Sequence, residues 1–477
     1  MPIRVVHLPV IIANNAIALS KYLNRIGVES KTISYFRTWL NYEGNINLEL
    51  DSIPFPERHQ KVRTFVEDFI KNEAHKYDVF HCHFFDTLST GMTFGGWRSH
   101  PEQEIYWDLK VLKDLGKKII VSSWGSDVRN NSKIIYYQLK FEAPHLDLPY
   151  PPLNTKKQYL KIWKFSQYAD AMINGDSETL KHMPFGTMIP IGIDLEPFQE
   201  IGRECLKNSS QFSILYAPSN TLYKGSKYTK KILDRITAKY GDRIEIRKIH
   251  GLPYKEAIKQ YPGFGIAVDD INFSFGLFAL EAMALGRTVF CSRRDNEFVK
   301  NDPKLIAPVV SVFNEEDFFN RMVDFIENPN RMNPPALEQF VTEHFSGEVI
   351  ADQYKKMYEM LLSEEKIPSL VSQDWMKEFD RFIQGKKIDQ NDYYPKVTDL
   401  LLQRRDMEKL SHEIQMGFGL NNDLELLAKY IFYLEVTGQN ETIHQLKNQN
   451  ANAVASPEFD QQYSRAKALF EGGSEAI

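Results

Sequence analysis

The chain of 477 residues is long enough for roughly two to four domains. With 43% hydrophobic and 25% charged residues it has the composition of an ordinary folded protein, which excludes a disordered or fibrous chain. A formal net charge of −5 gives no global attraction to nucleic acid or anionic lipid, so no nucleic-acid partner is expected.

In chain order, Ile3 to Pro9 (IRVVHLP) reads as a buried strand, and Ala16 to Leu23 begins a helix. Further strands are expected at Lys31 to Tyr35, Tyr77 to His83, Lys117 to Ser122, Ala171 to Asn174 and Thr187 to Pro190. Strands separated by helical patterns imply parallel pairing, because a parallel pair needs a long crossover. The runs are apolar on both faces, as a helix-covered parallel sheet requires. A second set follows at Phe212 to Ala217, Ile244 to Ile249, Gly265 to Asp269 and Thr288 to Ser292. Helices are expected near Ser226 to Lys239, Tyr254 to Gln260, Leu277 to Leu285 and Ser346 to Glu364. Beyond these, Asp423 to Val436 places Leu424, Leu427, Tyr430, Ile431 and Leu434 on one helical face, and Trp375, Phe379 and Phe382 form a similar stripe. Paired amphipathic helices are expected there, without a clean repeat period. They could pack on their own chain or bind a protein partner.

No cleavage pattern follows the apolar N-terminus, and no apolar run is long enough to span a membrane. Cys82, Cys205 and Cys291 are too far apart for a CxxC metal pair and odd in number for a disulfide framework. A reducing cytoplasm is the expected setting, with peripheral attachment at the inner membrane face left open.

The segment Ser274 to Ser292 (SFGLFALEAMALGRTVFCS) carries the chemistry. It reads as strand end, loop, helix, glycine and strand, one half of a nucleotide-binding sheet, where ligands sit beyond the carboxyl ends of the strands. The backbone N–H groups of Phe275, Gly276 and Leu277 would open toward that crevice at a helix N-terminus, a geometry suited to a diphosphate. Glu281 lies about one turn into the helix, where a carboxylate can accept two hydrogen bonds from a ribose diol. Leu280, Ala282, Met283 and Ala284 surround it, and a Glu among them needs a partner.

FGLFALEAMALGRTVFCS resembles the donor-site segment of GT-B glycosyltransferases of the family-four, glycogen-synthase-like type. Other segments resemble that family in order: YDVFHCHFF, LKDLGKKIIVSSWGSDVR, ADAMINGDSETL, PIGIDLEPF, APSNTLYKGS and EHFSGEVIADQYKKMYEMLL. Together they cover roughly residues 1–364. The resemblance implies an α/β fold of GT-B type, with two doubly wound Rossmann-like domains facing across a cleft. Residues 1–198 would be the acceptor domain and 199–364 the nucleotide-sugar domain with closing helices, leaving 365–477 as an all-α appendage. It implies transfer of a hexose, with retention, from a nucleoside-diphosphate sugar to a glycan, lipid-linked or protein acceptor. No separate cofactor and no metal are implied. Lys224 would contact the donor diphosphate, Glu281 the ribose, and the Gly276 and Leu277 amides the phosphates.

The sequence departs from the pattern in four places. The first of the family's two glutamates falls at Phe273, a loss shared by a subgroup with a GLFAxEAMALG motif. The donor-side arginine falls at Thr221 or Ser219, leaving Lys224 alone, with Arg129, Lys227, Arg293 and Arg294 as candidate replacements. Trp124 stands where the family has a histidine, either stacking on a sugar face or filling a core gap. Ala13, Asn14 and Asn15 replace the acceptor-side glycines. His81 and His83 flank Cys82 at a strand end without a fourth metal ligand in sequence. His83 is a candidate polar group of the active site, and His7 reads as a satisfied core histidine. Ser126 and Asp127 suit a helix N-cap, or Asp127 an acceptor or donor-sugar contact. The catalytic candidates are thus Lys224, Asp127 and His83; the donor-binding candidates are Phe275, Gly276, Leu277, Glu281, Lys224 and Ser219. The departures keep open a second reading, a non-catalytic glycosyltransferase-like subunit. An epimerase or phosphorylase on the same fold is a third, and no Schiff-base lysine context of the pyridoxal-phosphate type is present.

Overall fold

The computed structural model describes residues 2–9, 14–36, 44–90, 106–129, 155–176, 179, 183, 186–205, 212–219, 221, 224–263, 265–271, 275–292, 307–312, 314–365, 398–399, 401–403, 405, 407, 410–411, 414 and 424–472. The chain divides into two compact units, the first carrying two sheets and the second the C-terminal helices.

The first sheet contains β1 (Arg4–Leu8), β2 (Glu29–Ser34), β3 (Ile46–Asn47), β4 (Val79–His83), β5 (Lys118–Ser123), β6 (Ala171–Asn174) and β7 (Thr187–Met188). Its seven strands run in the order β3-β2-β1-β4-β5-β6-β7, all parallel. The second sheet contains β8 (Phe212–Tyr216), β9 (Ile244–Lys248), β10 (Gly265–Val268), β11 (Thr288–Cys291) and β12 (Val310–Ser311), in the order β12-β11-β10-β8-β9, again parallel. The strand order reverses between β1 and β4 in the first sheet and between β8 and β10 in the second. Crossovers leave in opposite directions at these points and open a crevice beyond the strand ends.

The α/β fold class is borne out. Every strand expected from the sequence is present, most shorter by a residue or more at one or both ends. Burial outlasts strand pairing: Pro9 is buried although β1 ends at Leu8. The two-residue edge strands β3 and β12 were not expected, because so short a run has no periodicity to read.

Strand alternation sends Leu215, Ala267 and Val289 to one face of the second sheet, against Leu280, Met283 and Phe345. Ile214, Ile266 and Phe290 go to the other, against Ile232, Ile236 and Met322. The helix Gly347–Leu362 leaves the second sheet and packs on the first: Ile350, Ala351, Tyr354 and Tyr358 join a core with Val5, Ile120 and Ile173. Its start is fixed by a bridge in which Ile193 N donates to Phe345 O and Gly347 N to Ile193 O, both at 2.9 Å. A Cβ on Gly347 would collide with the Tyr22 ring, so the approach requires glycine here.

The second unit contains helices Leu424–Val436, Asn440–Gln449, Ala451–Val454 and Pro457–Gly472. Leu427, Ile431 and Leu434 are buried as expected, but Leu424 and Tyr430 are only half-buried. The helix is covered nearly all round, and even Lys429 is buried, paired with Asp399 at 2.6 Å and Glu425 at 2.7 Å. A buried ammonium is tolerated only with such partners, which is why a one-face reading of this helix was too narrow. Trp375, Phe379 and Phe382 lie outside the described residues.

Candidate functional site

At the reversal between β8 and β10 the loop after β8 brings Lys224 to the end of β10. Lys224 Nζ lies 2.9 Å from Asp269 Oδ1 and 3.7 Å from Asp270 Oδ2. The other oxygen of Asp269 accepts the backbone N–H of Gly276 at 2.7 Å. Gly276 caps the helix Leu277–Ala284: Ala279 N–H turns back to Gly276 O at 3.1 Å, while the amides before it have no preceding helical turn to bond to. A Cβ on Gly276 would sit 3.2 Å from Lys224 Nζ, so glycine lets the ammonium approach the helix terminus. Phe275 turns its ring edge-on to Phe345, 6.1 Å between centroids, which anchors the residue before the cap. Leu277 is half-buried at the first helical position.

Glu281 is buried on the same helix, and its Oε1 accepts from Tyr254 Oη at 2.8 Å. Tyr261 also bonds its carboxylate. Burial pushes this carboxyl up to about 8, against the two tyrosine hydrogen bonds that favour its charge. Lys224, Gly276 and Glu281 are therefore brought together. Ser219 and Thr221, the two positions for the missing arginine, are exposed on the β8 loop. Lys227 is exposed, while Phe273, Arg293, Arg294 and Ala13 lie outside the described residues. The sequence reading missed Tyr254 and Tyr261 as partners of Glu281, and Asp269 as the partner of Lys224. A polar residue directly after a wholly buried strand was the available signal for Asp269.

The raised Glu281 pKa has a direct consequence for stability. The folded chain holds this proton up to about pH 8, whereas the usual value is 4.5. Between those values the folded state binds the extra proton, so its stability falls as pH rises. Glu281→Gln cannot ionise. It is expected to match the wild type near pH 5 and to exceed it by a few kcal/mol at pH 8 in urea unfolding. Equal stability at both values would show that Glu281 ionises normally.

In the first sheet, the reversal between β1 and β4 collects His7, His81 and His83, all buried. Trp124 Nε1–H donates to His83 Nδ1 at 3.3 Å, and His83 Nε2 lies 3.0 Å from His7 Nδ1. Indole can only donate. The proton of neutral His83 is therefore on Nε2 and donated to His7, which leaves His7 protonated at Nε2. That atom is buried without a hydrogen-bond partner among the described residues, so His7 is a core histidine but not a fully satisfied one. Burial pushes His83 down to about 3, which keeps it a neutral hydrogen-bonding group at physiological pH.

His81 is engaged at both nitrogens, with Tyr358 Oη at 3.0 Å and Ser122 Oγ at 2.7 Å. Ligand atoms of the three histidines lie within 4.8 Å of one another. Yet the His81 and His83 rings stack 4.3 Å apart at 24°, so their in-plane lone pairs run side by side rather than converging on one ion. The arrangement favours a hydrogen-bonded stack over a metal centre.

Trp124 lies nearly parallel to His83, 5.9 Å between centroids at 12°, and a Cβ on Gly175 would collide with its ring. The indole is half-exposed and borders a small pocket with Asn15, Gly192 and Tyr354. Asp127 is buried and reaches back to accept the N–H of Gly125 at 2.7 Å and of Trp124 at 3.2 Å. It thus holds the preceding turn; the residues from 130 on that it was expected to cap lie outside the described residues. Burial pushes Asp127 up to about 7, opposed by those amides and Lys161. The half-buried Arg129 follows in the same segment.

No family model and no curated protein matches this chain. Among solved structures, sucrose-phosphate synthase from Thermosynechococcus elongatus is similar at 15% identity, covering 76% of this chain and 100% of that one, with a TM-score of 0.52. An alpha-glucosyltransferase in complex with UDP and a 13-mer DNA containing a central A:G mismatch aligns at 11% identity over 75% of this chain and 100% of that one, with a TM-score of 0.48. A glycosyltransferase from Rickettsia africae ESF-5 aligns at 13% identity over 76% and 100%, with a TM-score of 0.45. The first of these likenesses shows the fold: two Rossmann-like halves in the GT-B arrangement.

Proposed function

We propose that this chain is a glycosyltransferase that takes its sugar from a nucleoside-diphosphate sugar held at the C-terminal edge of the second sheet. One observation carries the reading. At the β8–β10 reversal an ammonium, a helix N-terminus and a buried carboxyl acceptor stand in the order that diphosphate and ribose require. Lys224 stabilises the charge that grows on the leaving diphosphate, and Glu281 accepts from the ribose diol. Leu277 and Gly276 supply phosphate-facing amides, and Phe275 and Ser219 border them. A hexose is the sugar, transferred with retention to a glycan, lipid-linked or protein acceptor, without a separate cofactor. His83 and Asp127, with Trp124, serve the acceptor side on residues 1–198, opposite the donor side on 199–364. Residues 365–477 serve a protein partner, and the protein works at the cytoplasmic face of the membrane.

The family resemblance of the motif and the shared fold support this reading. Incubation with a panel of UDP-, GDP- and ADP-sugars tests it, through binding and slow release of free sugar. Neither binding nor hydrolysis across the panel would overturn it. The uncharged Ser219 and Thr221 favour a second reading, a non-catalytic subunit of the same fold. In that case Lys224→Ala would leave the cellular role intact.

A further inference from the structure

We propose that Asp269 is the internal anion of the diphosphate site, so that the donor enters by exchanging with it. This rests on the reading of the β8–β10 crevice as a nucleoside-diphosphate site. The two donors that reading assigns to phosphate are already bridged by one carboxylate: Lys224 Nζ at 2.9 Å on Oδ1 and Gly276 N at 2.7 Å on Oδ2. Asp269 is only 2% exposed, immediately after β10, so its carboxylate lies beneath the crevice rather than in solvent. A carboxylate offers one unit of charge and two oxygens. A diphosphate offers more of both, and can take the ammonium and the amide at once.

The exchange has two effects. It selects for charge: a monoanion gains little by replacing another carboxylate, while a diphosphate gains. It also assists departure, because Asp269 recaptures Lys224 and Gly276 when the nucleoside diphosphate leaves. Asp270, with its carboxylate 3.7 Å from Lys224 Nζ, keeps an anion beside the ammonium throughout.

The test is calorimetric titration of the full chain with inorganic pyrophosphate, with chelator present to remove divalent cations. Asp269→Asn keeps the side-chain shape, and its amide oxygen can still accept from Gly276. It removes one negative charge beside the bound anion, and pyrophosphate affinity is expected to rise about tenfold or more. Asp269→Glu, which keeps the charge, is expected to stay near the wild type. Asp269→Ser provides the same reading as the Asn variant if that one melts early. Equal or weaker binding by the Asn and Ser variants, with the wild type still binding, overturns the exchange and leaves the diphosphate crevice standing. Failure of the wild type and of both neutral variants to bind overturns the crevice reading and the exchange with it.

Discussion

Replacing Lys224 with alanine is expected to lower sugar-nucleotide turnover about 10²–10³-fold, the usual effect of removing one fixed charge or donor from a site where negative charge develops. The side chain is only 20% exposed, and its ammonium stands between Asp269 and Asp270. Without it, those two carboxylates share a largely buried space with no cation to offset them, so donor affinity falls too. Some loss of stability, about 1–3 kcal/mol, accompanies the change because buried carboxylates lose their partner. Turnover and donor KM are read against a melting curve for the same variant. Unchanged turnover in a folded Lys224→Ala protein would remove the diphosphate role from this residue.

The sequence was most readable where a local pattern decides the outcome. Buried parallel strands announce themselves as apolar runs, and Ala171–Asn174 was placed to the residue. The helix Leu277–Ala284 followed from its flanking glycines, and a lone Glu281 among alanines and leucines signalled a buried acceptor. What escaped is long-range. Lys224 and Asp269 are 45 residues apart, and Tyr254 and Glu281 are 27 apart. No periodicity relates them; only the side-by-side pairing of β8 with β9 and β10 does. The histidine stack escaped for the same reason: His7 and His81 meet because β1 and β4 pair in register. Asp127 was legible as a helix N-cap, but its hydrogen bonds back to Trp124 and Gly125 depend on how the chain leaves β5.

Arg287→Met is expected to be among the most destabilising single changes in the second sheet, lowering the unfolding free energy by about 3 kcal/mol or more. Arg287 is fully buried just before β11. Its guanidinium donates to Tyr261 O at 2.9 Å, Ile266 O at 3.2 Å and Ser213 Oγ at 3.0 Å, tying the start of β8 and β10 to the chain beyond Tyr254–Ile258. Methionine matches part of the volume and relieves the cost of burying a charge. It also leaves several buried oxygens short of a donor, and that loss outweighs the relief because each acceptor is worth about 1–3 kcal/mol. Arg287→Lys keeps the charge but cannot span three acceptors with one ammonium, so it is expected to fall between the two. The effect reaches the site. Arg287 holds the backbone of Tyr261, whose hydroxyl bonds Glu281, so the Met variant should weaken nucleotide binding even at temperatures where it stays folded. Urea unfolding and titration with a panel of nucleoside diphosphates on the same three proteins separate the two effects. A Met variant as stable as the wild type would mean that burying the guanidinium costs as much as its hydrogen bonds return.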